Sequence, residues 1–178
     1  MIAGLLAWLL LSLGASAAVA DDGSPPAREA GVPVRLTIPA INVDARIEAV
    51  GLTPDDAMDT PNDSLGTAWY QLGPRPGEQG NAVIAGHVDT VGGEAVFWNL
   101  RRLAPGDAII VTSDDGIAHQ FAVTGSEKYA LGSAPLAAIF GPTDGVHLTL
   151  ITCDSDTPFD RASGAYGGHV LIHAAAVP

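Results

Sequence analysis

Cysteine is nearly absent from this 178-residue chain: Cys153 is the only one. One thiol cannot close an internal disulfide or build a Cys-rich zinc site. Basic residues are scarce as well. Eight Lys and Arg stand against 20 Asp and Glu, giving a formal net charge of −12, and Lys128 is the sole lysine. That balance argues against nucleic acid as a partner, because phosphates are neutralised by clustered Lys and Arg. It argues equally against a polybasic grip on anionic lipid. The apolar fraction, 47%, is ordinary and does not describe a disordered chain. The 21 Gly and 13 Pro leave little room for long unbroken helices.

What is present begins with an uncharged stretch. Residues 1–20 carry no charged side chain. As a helix they would span about 30 Å, the hydrocarbon thickness of a bilayer. Two readings stand: a signal peptide removed after Ala18-Val19-Ala20, or a retained membrane anchor. A buried helix of a soluble domain is disfavoured, because nothing polar marks a surface face. No positive flank sets the orientation. Either favoured reading places the rest of the chain outside the cytoplasm. Residues 21–31, DDGSPPAREAG, have the composition of a flexible tether. Residues 32–178 remain for one folded domain with a substantial core.

Within that domain strand patterns dominate. Val34–Ile38 and Ala45–Val50 alternate apolar and polar residues. Ala82–Ala85 is a short apolar run that ends at Gly86-His87. Ala108–Thr112 and Gln120–Thr124 flank Asp114-Asp115-Gly116, a turn signal, and read as a hairpin. His147–Thr152 and His169–Ala174 are the last two strands. Helical pieces are expected only over Val96–Leu103 and Pro135–Phe140. Seven or eight short strands with Gly/Pro turns predict an all-β sandwich or barrel with short helices.

The chemistry centres on Cys153. A lone cysteine is by itself more often a small buried hydrophobe than a nucleophile. This one ends an apolar strand and precedes a polar segment, Asp154–Thr157. An exported protein that keeps an unpaired thiol also carries an oxidation liability. His87 occupies the same kind of position, at the end of another apolar strand. Cysteine and histidine are the minimum for a thiol nucleophile with an acid/base partner.

These residues carry a resemblance. Thr149-Leu150-Ile151-Thr152-Cys153 is similar to the TLxTC signature of sortases, the cysteine transpeptidases of bacterial cell surfaces. Ala85-Gly86-His87 resembles the strand-end histidine of that family, and Arg35–Ile41 resembles its usual opening. His87-Val88-Asp89, Ala95-Val96-Phe97 and Phe159-Asp160 look most like class F of the actinobacterial sortases. The resemblance runs from about Val34 to Ala174. It implies a closed eight-stranded sortase β-barrel that needs no metal or cofactor. It implies a groove for an LPxTG-like sorting signal on surface proteins, cleaved between Thr and Gly through a thioacyl intermediate on Cys153. His87 would be the acid/base, and Thr152, beside the nucleophile in the signature, is assigned to substrate binding. The acceptor would be an amine, from a cell-wall precursor or a pilin lysine.

The family arginine usually lies in or at the start of the final strand. Here Gly167-Gly168-His169 stands at that place, and Arg161, in the preceding loop, is the one arginine after Cys153. Arg161 is therefore the expected donor to substrate or oxyanion, with a guanidinium fork suited to either. His169 is the reserve. Asp89 either orients the His87 imidazole or caps the next turn. His119, His147 and His173 read as ordinary strand residues. Asp154 and Asp156 resemble half of a calcium loop without its Gly and distal Glu. Two other functions stay open: a secreted cysteine hydrolase on the same scaffold, and a non-enzymatic surface β-barrel with a structural cysteine.

Overall fold

The computed structural model describes residues 30–162 and 164–177. Residues 1–20, expected as a signal peptide or anchor, and most of the tether lie outside them. Among the described residues no helix is long and apolar enough to cross a membrane.

Eight strands close into a barrel. They are β1 (Pro33–Ile38), β2 (Val43–Val50), β3 (Thr67–Tyr70), β4 (Gly80–Ala85), β7 (Ala108–Ser113), β8 (Ala118–Ala130), β9 (Val146–Cys153) and β12 (Gly168–Ala176). Two small hairpins complete the strand set: β5 (Asp89–Thr90) with β6 (Gly93–Glu94), and β10 (Phe159–Asp160) with β11 (Ala165–Tyr166). Around the barrel the order is β1-β2-β3-β4-β9-β12-β8-β7. Neighbours are antiparallel except β2 with β3 and β4 with β9, which are parallel. The expected all-β class with a closed eight-stranded barrel is therefore what this sequence forms.

Alternation along the strands fills the interior. Leu36, Ile38, Ile84, Ile109, Leu148, Leu150 and Ile172 are fully buried. An eight-stranded barrel is just wide enough for such side chains to meet across it. The β7–β8 turn follows its sequence signal: Gly116 takes a φ of 81°, and Ser113 N–H donates to Ile117 O at 2.9 Å. Val34 departs from the expected alternation. A bulge between Pro33 and Arg35 shifts the register to β7 and leaves Val34 exposed.

The helix expected over 96–103 shrinks to a 3-10 turn, Leu100–Arg102. The backbone N–H groups that would start it are spent elsewhere. Ala95 donates to Val88 O, Val96 to Ser64 O and Phe97 to His87 O. Phe97 and Leu100, both fully buried, join the barrel core. The second expected helix is present as α1 (Leu136–Phe140), entered through Pro135. It lies against the outer side of the sheet, where Ile139 packs with Val83 and Leu171.

Candidate active site

The parallel pair β4/β9 positions the two key residues. Its register matches Ala85 with Ile151, and Gly86 N–H donates to Ile151 O at 3.1 Å. Continuing two residues along both chains brings His87 level with Cys153. Within β9, alternation puts the Cys153 side chain on the same side of the sheet as Ile151. On the next strand His169 pairs directly with Cys153, across β9 and β12. Cys153 and His169 thus form a cross-strand pair, and His87 follows the end of β4, the strand on the other side of β9.

Thr152 braces this arrangement. It is 4% exposed, and its hydroxyl donates to Gly86 O at 2.8 Å. The bond ties the backbone that carries His87 to the backbone that carries Cys153. The hydroxyl of Thr152, expected at the substrate, is thus engaged with the backbone here. Gly86 has its own packing reason. A Cβ there would stand 2.6 Å from the Phe97 ring and 2.8 Å from Val96.

The His87 imidazole is held from the far side. Its Nε2 lies 2.9 Å from Pro61 O. A carbonyl only accepts, so this network assigns the proton to Nε2 and leaves Nδ1 as the nitrogen able to take another. Among the described residues the Asp89 carboxylate bonds to neither that imidazole nor a turn N–H. Its carboxylate accepts the Tyr166 hydroxyl at 2.5 Å, which ties the β10–β11 hairpin to the segment after His87. Tyr166 also stacks edge-on with Phe159 across that hairpin, and its phenol is pushed up by the Asp89 carboxylate.

Cys153 is half-buried and free. Burial pushes its thiol up, the Asp89 carboxylate adds to that, and the Tyr166 N–H opposes both by donating to the sulfur. The resting state is therefore a thiol, and ionisation calls for a proton acceptor beside it. His169 is held below the usual imidazole range by burial, so it stays neutral near pH 7.

Arg161 lies apart from these residues. It follows β10 in the turn of the β10–β11 hairpin, is exposed, and makes no side-chain hydrogen bond or ion pair among the described residues. A different arginine borders Cys153. Arg101 and Cys153 line the same small recess, together with Phe97, Trp98, Ser155 and Val170 among others. The sequence reading passed over Arg101. Its one signal was the pair Arg101-Arg102 in a chain poor in basic residues.

The loop after Cys153 is fixed by ion pairs. Lys128 Nζ donates to Asp154 Oδ1 at 3.1 Å and Asp156 Oδ2 at 2.8 Å. Arg101 Nη1 donates to Asp156 Oδ1 and Ser155 Oγ, each at 2.9 Å. Side-chain cations thus occupy the carboxylates that resembled half of a calcium loop. No cluster able to hold a metal occurs among the described residues. His119, His147 and His173 lie within strands apart from the site, His173 beside Glu127 at 3.5 Å.

Comparison with known proteins adds a family. The sortase-domain family model matches residues 36–177. Sortase A from Corynebacterium diphtheriae superposes with a TM-score of 0.64 at 22% identity, over 84% of this chain and 62% of that one. The chain thus spans less than two thirds of that structure's length. Sortase C-1 from Actinomyces oris gives 0.62 at 22% identity, over 82% of this chain and 73% of that one. Sortase A from Listeria monocytogenes gives 0.62 at 19% identity, over 84% and 89%. No curated protein sequence matches the chain.

Proposed function

The chain belongs to the sortase family, and from that premise we propose that it is an extracytoplasmic cysteine transpeptidase acting on LPxTG-like sorting signals of surface proteins. The observation that supports this reading is the β4/β9 register, in which Ala85, two residues before His87, pairs with Ile151, two residues before Cys153. Cys153 is the nucleophile. Its proton passes to His87 Nδ1, and the thiolate attacks the carbonyl carbon of the Thr–Gly bond. The C–N bond breaks, the His87 proton goes to the departing glycine nitrogen, and a thioacyl enzyme remains. An incoming amine, from a cell-wall precursor or a pilin lysine, gives a proton to His87 as it attacks the thioester. Collapse releases the Cys153 thiolate, which takes that proton back.

With ordinary pKa values the thiolate–imidazolium pair makes up on the order of one per cent of molecules near neutral pH. The upward push on Cys153 lowers that share in the resting protein. Attack therefore draws on the proximity of His87 and on stabilisation of charge as it develops. Arg161 serves as the substrate clamp, reaching bound peptide carbonyls from the hairpin.

The test is product analysis with an LPxTG-type peptide, with and without an amine acceptor. Transpeptidation predicts a new amide product that carries the acceptor. Fast hydrolysis with no acceptor in the product would replace this reading with a cysteine hydrolase. A Cys153 that resists a methanethiosulfonate reagent in the native state, yet reacts after unfolding, would sink both.

A further inference from the structure

His87 is held by a carbonyl whose own peptide group is held in turn. The 2.9 Å contact of His87 Nε2 is with Pro61 O, and Pro61 is buried. That oxygen belongs to the peptide unit joining Pro61 to Asn62, whose other edge carries the Asn62 N–H. No described peptide bond is cis, so the C=O and the N–H leave opposite edges of one plane. The Asn62 N–H donates to Glu48 Oε1 at 2.6 Å, and Asn62 Nδ2 donates to Glu48 Oε2 at 2.9 Å. Both oxygens of one carboxylate on β2 therefore grip the peptide that His87 touches.

The flanking parts of the β2–β3 connection bond elsewhere. Before Pro61, Thr53 N–H donates to Ala57 O and Asp59 N–H to Gly51 O. After Asn62, the N–H groups of Leu65 and Gly66 donate to Asp63, and Ser64 O accepts the Val96 N–H. Pro61 has no N–H of its own. Glu48 is a fixed point, because its neighbours Ile47 and Ala49 pair with Thr67 and Trp69 of β3.

A carboxylate that accepts from a peptide N–H makes a charge-assisted bond and polarises the plane toward its carbonyl oxygen. The Pro61 carbonyl becomes a stronger acceptor. It favours the imidazole tautomer with the proton on Nε2 and the lone pair on Nδ1. It also steadies the imidazolium once Nδ1 takes a proton. An acid/base histidine is ordinarily oriented by a third group. The Asp89 carboxylate, two residues on, bonds to Tyr166 instead.

We propose that Glu48 is the positioning residue of His87, acting through the Pro61–Asn62 peptide as the third member of a Cys153–His87–Glu48 arrangement. The inference rests on the reading of His87 as the acid/base, while the tautomer it assigns is measurable without a substrate.

The test uses the full chain labelled with ¹⁵N-histidine. Ring-nitrogen NMR spectra are recorded at about pH 8, where an ordinary imidazole is neutral, and His87→Gln identifies the His87 signals. The same proteins are assayed for cleavage of an LPxTG-type peptide. Wild type is expected to show His87 protonated on Nε2. In Glu48→Ala those signals are expected to move toward a mixture of both tautomers. Its kcat should fall about tenfold, a fraction of the roughly 100- to 10,000-fold that acid–base catalysis supplies, with KM held within about twofold. Glu48→Gln keeps an oxygen for the Asn62 N–H and should recover most of the Nε2–H form and part of kcat. Asp44→Ala, which removes an ion pair from the same strand, should change neither. Should Glu48→Ala fail to fold, Asn62→Ala deletes one of the two bonds and should move both readouts in the same direction. An unchanged tautomer in the variant would overturn the assignment, as would a wild-type His87 protonated on Nδ1. So would a raised KM with kcat intact, since Glu48 would then act on the groove. A wild type whose tautomer depends on Glu48 but which cleaves no sorting peptide would sink the proposed function and leave the positioning role standing.

Discussion

Asp89→Asn isolates the one carboxylate that acts on the nucleophile. In the native chain Asp89 raises the Cys153 thiol, second only to burial. The asparagine removes the charge and keeps an oxygen for the Tyr166 hydroxyl, so the tie to the hairpin survives. The sign is fixed: losing a neighbouring anion favours the thiolate, so the thiol pKa falls. Below both pKa values the thiolate fraction rises. Each thiolate is a weaker nucleophile, because reactivity falls with basicity at a Brønsted slope of about 0.4–0.5. With that slope about half of the gain in thiolate, on a logarithmic scale, survives in the rate. The assay is the rate of modification by a methanethiosulfonate reagent, followed from pH 6 to 10.5. The variant is expected to react several-fold faster at pH 7 and more slowly at the alkaline end, so the two profiles cross. An inflection unchanged or moved upward would refute the electrostatic account of this site.

Two further substitutions test the frame that holds the site. Thr152→Val keeps the shape and deletes the bond to Gly86 O. Urea unfolding is expected to show about 1–2 kcal/mol less stability, and peptide cleavage a several-fold lower kcat. Gly86→Ala drives a Cβ against Phe97 and Val96. It should cost about 1–3 kcal/mol in the same unfolding assay and slow catalysis further, because the backbone that must yield is the one carrying His87.

Much of the barrel was legible because its strands obey alternation. β2, β4, β7, β9 and β12 stand within two residues of where their patterns put them. Thr67–Tyr70 was not legible as β3. Three of its four residues are buried, so it shows no polar face, and its partners β2 and β4 are chosen by the closure of the barrel. The two-residue strands at Asp89–Thr90 and Phe159–Asp160 are too short to carry a period. In the site, Cys153 and His87 could be read because each ends an apolar strand. That the strands they end are neighbours could not, since it comes from the parallel pairing of β4 with β9. Arg101 was hidden for the same reason. It lies 52 residues before Cys153 in sequence and reaches the loop after β9 only where Phe97 and Leu100 pack into the core.

The central claim is that Cys153 carries the acyl group. Its most direct test is intact-mass spectrometry of the protein quenched in acid during turnover of an LPxTG-type peptide. The account predicts an added mass equal to the peptide's N-terminal fragment through threonine. That mass should map to Cys153, be lost on adding hydroxylamine and be absent from Cys153→Ala. Cleavage of the peptide between Thr and Gly by Cys153→Ala at the wild-type rate would contradict it.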